Sequence, residues 1–291
     1  MKYIILGHDN PDVDSVISGY LVEKILSSYG YNAKFVVPDK NVSFDVVDLC
    51  FKYGLDVKKF QKQLDFDEGD KFILVDHYKR DVPGEIFAVI DHHPVVEDNK
   101  KCDEILYYVN ENACSTTCLL IRKYEEILDK KDLELGCLAA FVDTVSFHSS
   151  KTNENDIKLI KDICKKYNFD YDNLYQDGLC LTDIKNIEEA CFNELKKYTI
   201  MNYKIQASLI RVDSFKSKEK IVNRMIKILK KYLENNNLFM FVFIVYDMSS
   251  FKTIVYKIMI DKINIVNYDY YASRGNRIIL DIKNSIEKFM L

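Results

Sequence analysis

No tryptophan, no CxxC pair, no excess of positive charge and no long apolar run occur in the 291 residues of this chain. Each absence narrows the field. The formal charge of −4 leaves no global basic footprint for nucleic acid. No apolar run approaches the ~20 residues needed to cross a bilayer. The four consecutive apolar residues Tyr3-Ile4-Ile5-Leu6 ahead of His8 are too few for the core of a signal peptide. The eight cysteines, at 50, 102, 114, 118, 137, 164, 180 and 191, fall in several cases within apolar helical patterns and read as small buried hydrophobes. The expectation is a soluble cytoplasmic protein in a reducing compartment, with neither membrane nor nucleic acid as partner. An internal repeat, a low-complexity tract and a linker rich in glycine, proline and serine are also missing, so nothing sharp marks a domain boundary. The missing tryptophan, beside abundant Lys, Asn, Ile and Tyr, reflects base composition more than function.

What is present suffices for two domains of ordinary size, with 48% hydrophobic residues to fill their cores. The stretch Gly7-His8-Asp9-Asn10-Pro11-Asp12-Val13-Asp14-Ser15 separates the first apolar run from an amphipathic segment with apolar Val16, Ile17, Tyr20, Leu21, Ile25 and Leu26. The former reads as a buried strand and the latter as a helix. Pro11 disfavours helix at Asn10, which predicts His8, Asp12 and Asp14 on a turn, Ser15 as helix N-cap and Gly30 as helix stop. A histidine and two carboxylates then crowd the carboxyl end of a strand, where open α/β sheets bind ligands.

The pattern repeats downstream. Residues 33–37 read as a strand and 44–52 as a helix. Phe72-Ile73-Leu74-Val75 runs into Asp76-His77, and Ile86-Phe87-Ala88-Val89-Ile90 into Asp91-His92-His93-Pro94. Strands alternating with helices predict a parallel sheet with helices on its faces. Ser115 or Thr116 is placed to cap a helix reaching about Leu128. Residues 133–142 form an apolar helix with little polar face, expected to be buried, and it ends in Asp143-Thr144. A carboxylate there is costly unless paired or bound to a cation. Residues 153–167 read as an amphipathic helix and 181–193 as a charged helical connection. Beyond it come a strand (205–212), a helix (219–233), a turn at Asn235-Asn236-Asn237, and a hairpin of 238–246 with 251–260. The expected fold class is α/β with two domains: an N-terminal parallel-sheet domain over 1–185 and a smaller C-terminal mixed-sheet α/β domain over 194–291.

His8, Asp12, Asp14, Asp76, His92 and Asp143 are the candidates for chemistry. Four carboxylates brought together repel one another unless protonated or screened by cations. Imidazole and carboxylate without thiolate suit Mn, Co, Fe or Zn, with Mn at the oxygen-rich end. Six side chains exceed what one ion with an open position needs and suit two ions about 3.5–4 Å apart.

The motifs GHDNPDVDS, LVDH, DHHP and FVDT, in this order, resemble those of the DHH phosphoesterase superfamily. Within it the chain is similar, nearly end to end, to the manganese-dependent (family II) inorganic pyrophosphatases; ILYYVNENACSTT and Ser273-Arg274-Gly275-Asn276-Arg277 match further patterns of that family. The resemblance implies two Mn2+ ions, with Co2+ or Mg2+ possible: His8 and Asp12 on one, Asp14, His92 and Asp143 on the other, Asp76 bridging. It implies catalytic roles beside substrate phosphate for His93, Lys196 (Lys197 if the alignment slips) and Arg274, and a likeness to homodimers. Departures fall on the phosphate side. Gly275, His148 and Asp9 stand where the family has lysines, leaving Arg277 or Lys151 as possible compensation.

The function expected is hydrolysis of a small phosphoanhydride, pyrophosphate before others, by a metal-bridging hydroxide, with substrate between domains whose closure excludes water. Competing readings are an exopolyphosphatase or other small-phosphoester hydrolase of the superfamily, a nuclease or cyclic-dinucleotide phosphodiesterase, and a non-catalytic phosphate-binding module. His77 reads as a hydrogen-bond partner of a metal ligand. Tyr268, Tyr270 and Tyr271 read as packing residues, since no basic stripe accompanies them.

Overall fold

A computed structural model describes residues 1–38, 42–78, 81–93, 107–149 and 151–290. Pro94 of the DHHP motif, Ile105 and Leu106 at the start of ILYYVNENACSTT, and Ser150 lie outside the described residues. The chain divides into two compact units, residues 1–147 with 151–178, and residues 148–150 with 179–291.

In the first unit, β1 (Tyr3–Leu6), β2 (Ala33–Val36), β3 (Lys71–Val75), β4 (Glu85–Asp91) and β5 (Tyr107–Asn110) form a parallel sheet in the order β2-β1-β3-β4-β5. Ile4, Leu6, Phe72, Leu74 and Val89 pack together in one cluster, while Ile5 and Ile73, alternating with them, are also buried. Burial on both faces is why these strands read as unbroken apolar runs. The accompanying helices are α1 (Val13–Ser28), α2 (Phe44–Lys52), α3 (Thr116–Tyr124), α4 (Lys130–Asp143), α5 (Glu154–Tyr167) and α6 (Tyr171–Leu179). The chain leaves β1 for one side of the sheet and returns through β3 on the other. The carboxyl ends of β1 and β3 thus flank the reversal in strand order, the usual ligand position in such sheets.

Two local expectations are corrected here. The N-cap of α1 is Asp12, whose Oδ1 accepts from the Ser15 N–H at 3.1 Å, and Asp14 lies in the first helical turn rather than on the preceding loop. The helix starts directly after Pro11-Asp12 because proline blocks helix before it and aspartate satisfies the first free N–H groups. Ser15 is freed to accept from the His8 N–H at 3.1 Å.

In the second unit, the short helix α7 (Ile187–Ala190) precedes β6 (Lys196–Ile200), β7 (Tyr203–Val212), α8 (Phe215–Asn235), β8 (Met240–Asp247), β9 (Lys252–Ile258) and β10 (Ile263–Tyr268). A π-helical turn, Arg274–Ile279, leads into α9 (Leu280–Met290). The sheet order is β10-β9-β8-β7-β6, antiparallel except for the parallel pair β7 and β8, which α8 connects. Val222, Met225, Ile226, Leu229 and Leu233 recur at helical spacing and pack with Phe241, Phe243, Val245 and Tyr256.

The helix expected over 181–193 shrinks to α7. Pairing of β6 with β7 stops at Ala207, so later backbone groups of β7 need other partners. Thr182 N donates to Arg211 O at 2.9 Å and Leu209 N donates to Asn193 O at 3.1 Å. Segments that must lie along a strand edge cannot also close helical hydrogen bonds. Among the described cysteines, all but the partly exposed Cys180 are buried, and none is disulfide-bonded. No helix among the described residues is long and apolar enough to cross a membrane.

Candidate metal centre

The first unit brings His8, Asp12, Asp14, Asp76, His92, His93 and Asp143 together. His8 leaves β1 through Gly7, where a Cβ would meet Ser15 Oγ at 2.2 Å. Only glycine permits that approach of strand end to helix start. Asp76 follows β3 in a left-handed conformation (φ 62°), its N–H donating to Ile90 O at 2.9 Å. Such backbone strain in a non-glycine residue persists where its surroundings hold it. Asp143 is the last residue of α4, and Val145, Ser146 and Phe147 after it are all left-handed. A carboxylate at a helix C-terminus faces the negative end of the dipole and needs a cation.

Asp76 is nearly fully buried and divides its oxygens. Oδ2 lies 3.5 Å from His8 Nε2, and Oδ1 lies 3.4 Å from His92 Nε2. His8 Nε2 is also 3.3 Å from Asp12 Oδ2, and His92 Nε2 is 3.5 Å from Asp143 Oδ2. Each ring is turned by its other nitrogen: His8 Nδ1 pairs with Asp9 O at 2.9 Å and His92 Nδ1 with Ala113 O at 3.0 Å. A carbonyl oxygen only accepts, so Nδ1 carries the proton and the buried Nε2 lone pairs, without a hydrogen-bond partner, face carboxylate oxygens. Asp14 is held by the amino end of α3, accepting from Thr116 N at 2.7 Å, Thr117 N at 3.1 Å and Thr117 Oγ1 at 2.8 Å. Burial first, then Asp76 and Asp143, pushes its carboxyl well above the usual range. Burial also works to raise Asp143, but Lys151 and His92 overcome it and the net direction is down.

His93 is anchored by Asp91, whose Oδ1 accepts from its N–H at 3.1 Å and lies 2.8 Å from its Nδ1. Burial, then His92, pushes the His93 imidazole down to about 4. His77 Nδ1 pairs with Val75 O at 2.9 Å, and its ring lies edge-on to His8. Lys196 and Arg274 belong to the second unit. Lys196 opens β6 opposite Ala207, half-buried, whereas Lys197 points to the exposed face. Arg274 donates from Nη1 to Glu194 O at 2.5 Å, and Glu194 Oε1 accepts from Arg211 Nη1 at 2.6 Å. His148 stacks on Phe251 at 4.0 Å, Tyr271 is fully buried, and Arg277 pairs with Asp281 at 3.1 Å.

Residues 2–141 match the DHH family, N-terminal domain. The chain is 26% identical over 263 residues to a probable manganese-dependent inorganic pyrophosphatase of Bacillus velezensis, covering 84% of this chain and 82% of the relative. It is 25% identical over 263 residues to the manganese-dependent inorganic pyrophosphatase of Bacillus subtilis (strain 168), with the same coverage. A crystal structure from Methanococcus jannaschii, described as a candidate family II inorganic pyrophosphatase, superposes with a TM-score of 0.76 at 19% identity, over 97% of this chain and 98% of that one. The two-domain α/β fold is shared with that protein.

The first unit's donor set fits a metal. Lone pairs and carboxylates 3.3–3.5 Å apart repel unless a cation joins them. Donors each about 2.1 Å from one ion sit roughly 3.0–3.5 Å from one another. His8, Asp12 and Asp76 offer one group of donor atoms within 4.8 Å of one another, and Asp14, His92 and Asp143 another. Sequence reasoning saw Thr116 only as a candidate helix cap and gave no role to Thr117, although both hold Asp14, or to Asp91, which anchors His93. It also passed over Glu194 and Arg211. Asp91 carried a signal, a polar residue ending an apolar strand, and so did Arg211, a cation between Ile210 and Val212; Glu194, just ahead of Lys196-Lys197, carried none.

Proposed function

We propose that the chain hydrolyses a small phosphoanhydride, pyrophosphate before others, to two phosphates with the help of two divalent ions. The observation that carries the reading is the pair of buried imidazole lone pairs facing carboxylates, with Asp76 offering one oxygen toward each. His8 and Asp12 would hold one ion, Asp14, His92 and Asp143 the other, and Asp76 both. Manganese, named for the relatives, suits such a donor set, with Co2+ or Mg2+ as alternatives. When bound, two such ions lower the pKa of water and neutralise phosphoryl oxygens. The chain's own groups do the rest. The Asp9 and Ala113 carbonyls keep His8 and His92 in the ligating tautomer, and Asp91 aims His93, which would contact substrate. Lys196 and Arg274 would neutralise phosphate charge, Glu194 holding the arginine in place. A homodimer and a cytoplasmic location are proposed on the resemblance alone.

The test is phosphate release from pyrophosphate, tripolyphosphate, long polyphosphate and dinucleotides, with Mn2+ and Mg2+. Metal-dependent release, fastest from pyrophosphate, is expected; release from none of them removes the proposal. Lys196→Ala and Arg274→Ala should each lose roughly 10–100-fold in catalytic efficiency while keeping metal.

A second reading, a preference for short polyphosphate or a substituted phosphate, is favoured by the space around Gly275. A Cβ placed there meets nothing within 4 Å. Gly275→Lys therefore adds its Cβ without a clash and should shift the ratio of kcat/KM values toward pyrophosphate over tripolyphosphate. A ratio that stays put removes Gly275 from the account of selectivity.

A further inference from the structure

We infer that Lys151 is a substrate-facing cation built into the metal centre and released for that task when Asp143 takes up a metal ion. The inference rests on the proposed function and extends it to a residue outside the six proposed ligands and the cations of the second unit. Lys151 Nζ donates to Asp143 Oδ2, and the lysine side chain is 16% exposed. The same oxygen stands 3.5 Å from the His92 Nε2 lone pair. One carboxylate oxygen is therefore offered both to an ammonium and to the position an ion beside His92 would use. Ammonium and ion compete for it.

Charge balance sets the outcome of that competition. Without metal, Asp12, Asp14, Asp76 and Asp143 crowd together, and Lys151 offsets part of their repulsion. Two divalent ions would cancel the four carboxylates, and an ion on Oδ2 would weaken the lysine's hold there. The ammonium then remains beside the centre on a flexible four-carbon stem, a local positive charge for a polyanionic substrate. Its location matters because Gly275 brings no charge and Arg277 is engaged by Asp281. An ammonium hydrogen-bonded to phosphate is among the stronger polar contacts a site can offer.

The competition predicts opposite signs for two measurements on one variant. Lys151→Met should bind Mn2+ more tightly by calorimetry, because the rival for Asp143 is gone. The same variant should raise KM for pyrophosphate by about tenfold and weaken imidodiphosphate binding to the metal-loaded protein by a similar factor. Lys151→Arg should restore most of the substrate affinity. Tighter metal with unchanged KM would leave Lys151 a placeholder and overturn the substrate role; weaker metal and a lower melting temperature in both variants would make it structural and overturn both halves. If wild type itself releases no phosphate from pyrophosphate, the proposed function fails first, and imidodiphosphate binding still separates the two failures.

Discussion

Among the described residues of the first unit, two clusters of ligand-type side chains stand out. One gathers His8, Asp12, Asp14, Asp76, His92 and Asp143; the other gathers Cys114, Cys118 and Asp156 within equally short distances. Residue types alone do not separate them, since thiols and a carboxylate are as competent for a metal as imidazoles and carboxylates. Their partners do. Asp156 is fully buried, yet its oxygens accept from Arg122 Nη2 at 2.6 Å, Cys114 N at 2.7 Å and Asn153 Nδ2 at 2.5 Å. The bond to Cys118 first, then burial, pushes the Cys114 thiol well above its usual range, so it stays protonated. In the other cluster two imidazole lone pairs are directed at carboxylates, and Asp14 lies among further carboxylates with only neutral donors on it. A satisfied cluster is a fold element. A cluster whose charges the protein answers only in part, through Lys151 on Asp143, asks for a cation.

The comparison breaks most visibly at Asp76. Asp76→Asn should lower kcat/KM more than a hundredfold, since even hydrogen-bond partners of metal ligands cost roughly 10–100-fold. Manganese content, read by elemental analysis, should fall with it. Undiminished hydrolysis with full metal content would refute the bridging role.

Arg122→Ala sharpens the contrast from the other side. It removes the charged donor from buried Asp156 but leaves the imidazoles untouched. Because the arginine is 40% exposed, the expected cost is about 1–2 kcal/mol, seen as a lower denaturant midpoint with unchanged manganese stoichiometry. Loss of metal would mean that the two clusters are one site.

The smallest effect is expected for the double variant Cys114→Ser with Cys118→Ser. If the thiols only pack, manganese stoichiometry and catalytic efficiency stay close to wild type while stability falls slightly. Loss of a bound ion in this variant would promote the thiol cluster to a metal site.

These contrasts also explain what the sequence made legible. Residues such as Asp76 and His92 stand out because unbroken apolar runs end abruptly in them, a pattern that survives without coordinates. Buried helix α4 ending in Asp143 was legible for the same reason, a charge where burial makes it costly. The cap of α1 was misplaced by three residues because Asp12 and Ser15 are both good caps, and Asp12 takes the helix's own first-turn N–H while Ser15 takes that of His8. Strand β6 hid behind Lys196-Lys197, and β10 is an edge strand with Ile263 and Ile265 exposed, so its burial pattern is weak. Asp156 gave no sign at all. Its partner Arg122 is 34 residues away on another helix, and such pairings exist only once the chain is folded.

The most direct test of the central claim is anomalous diffraction at the manganese edge from crystals grown with Mn2+. Two peaks are predicted, one among His8, Asp12 and Asp76 and the other among Asp14, Asp76, His92 and Asp143, with none beside Cys118. An empty centre, or a peak held by Cys114, Cys118 and Asp156, would contradict it.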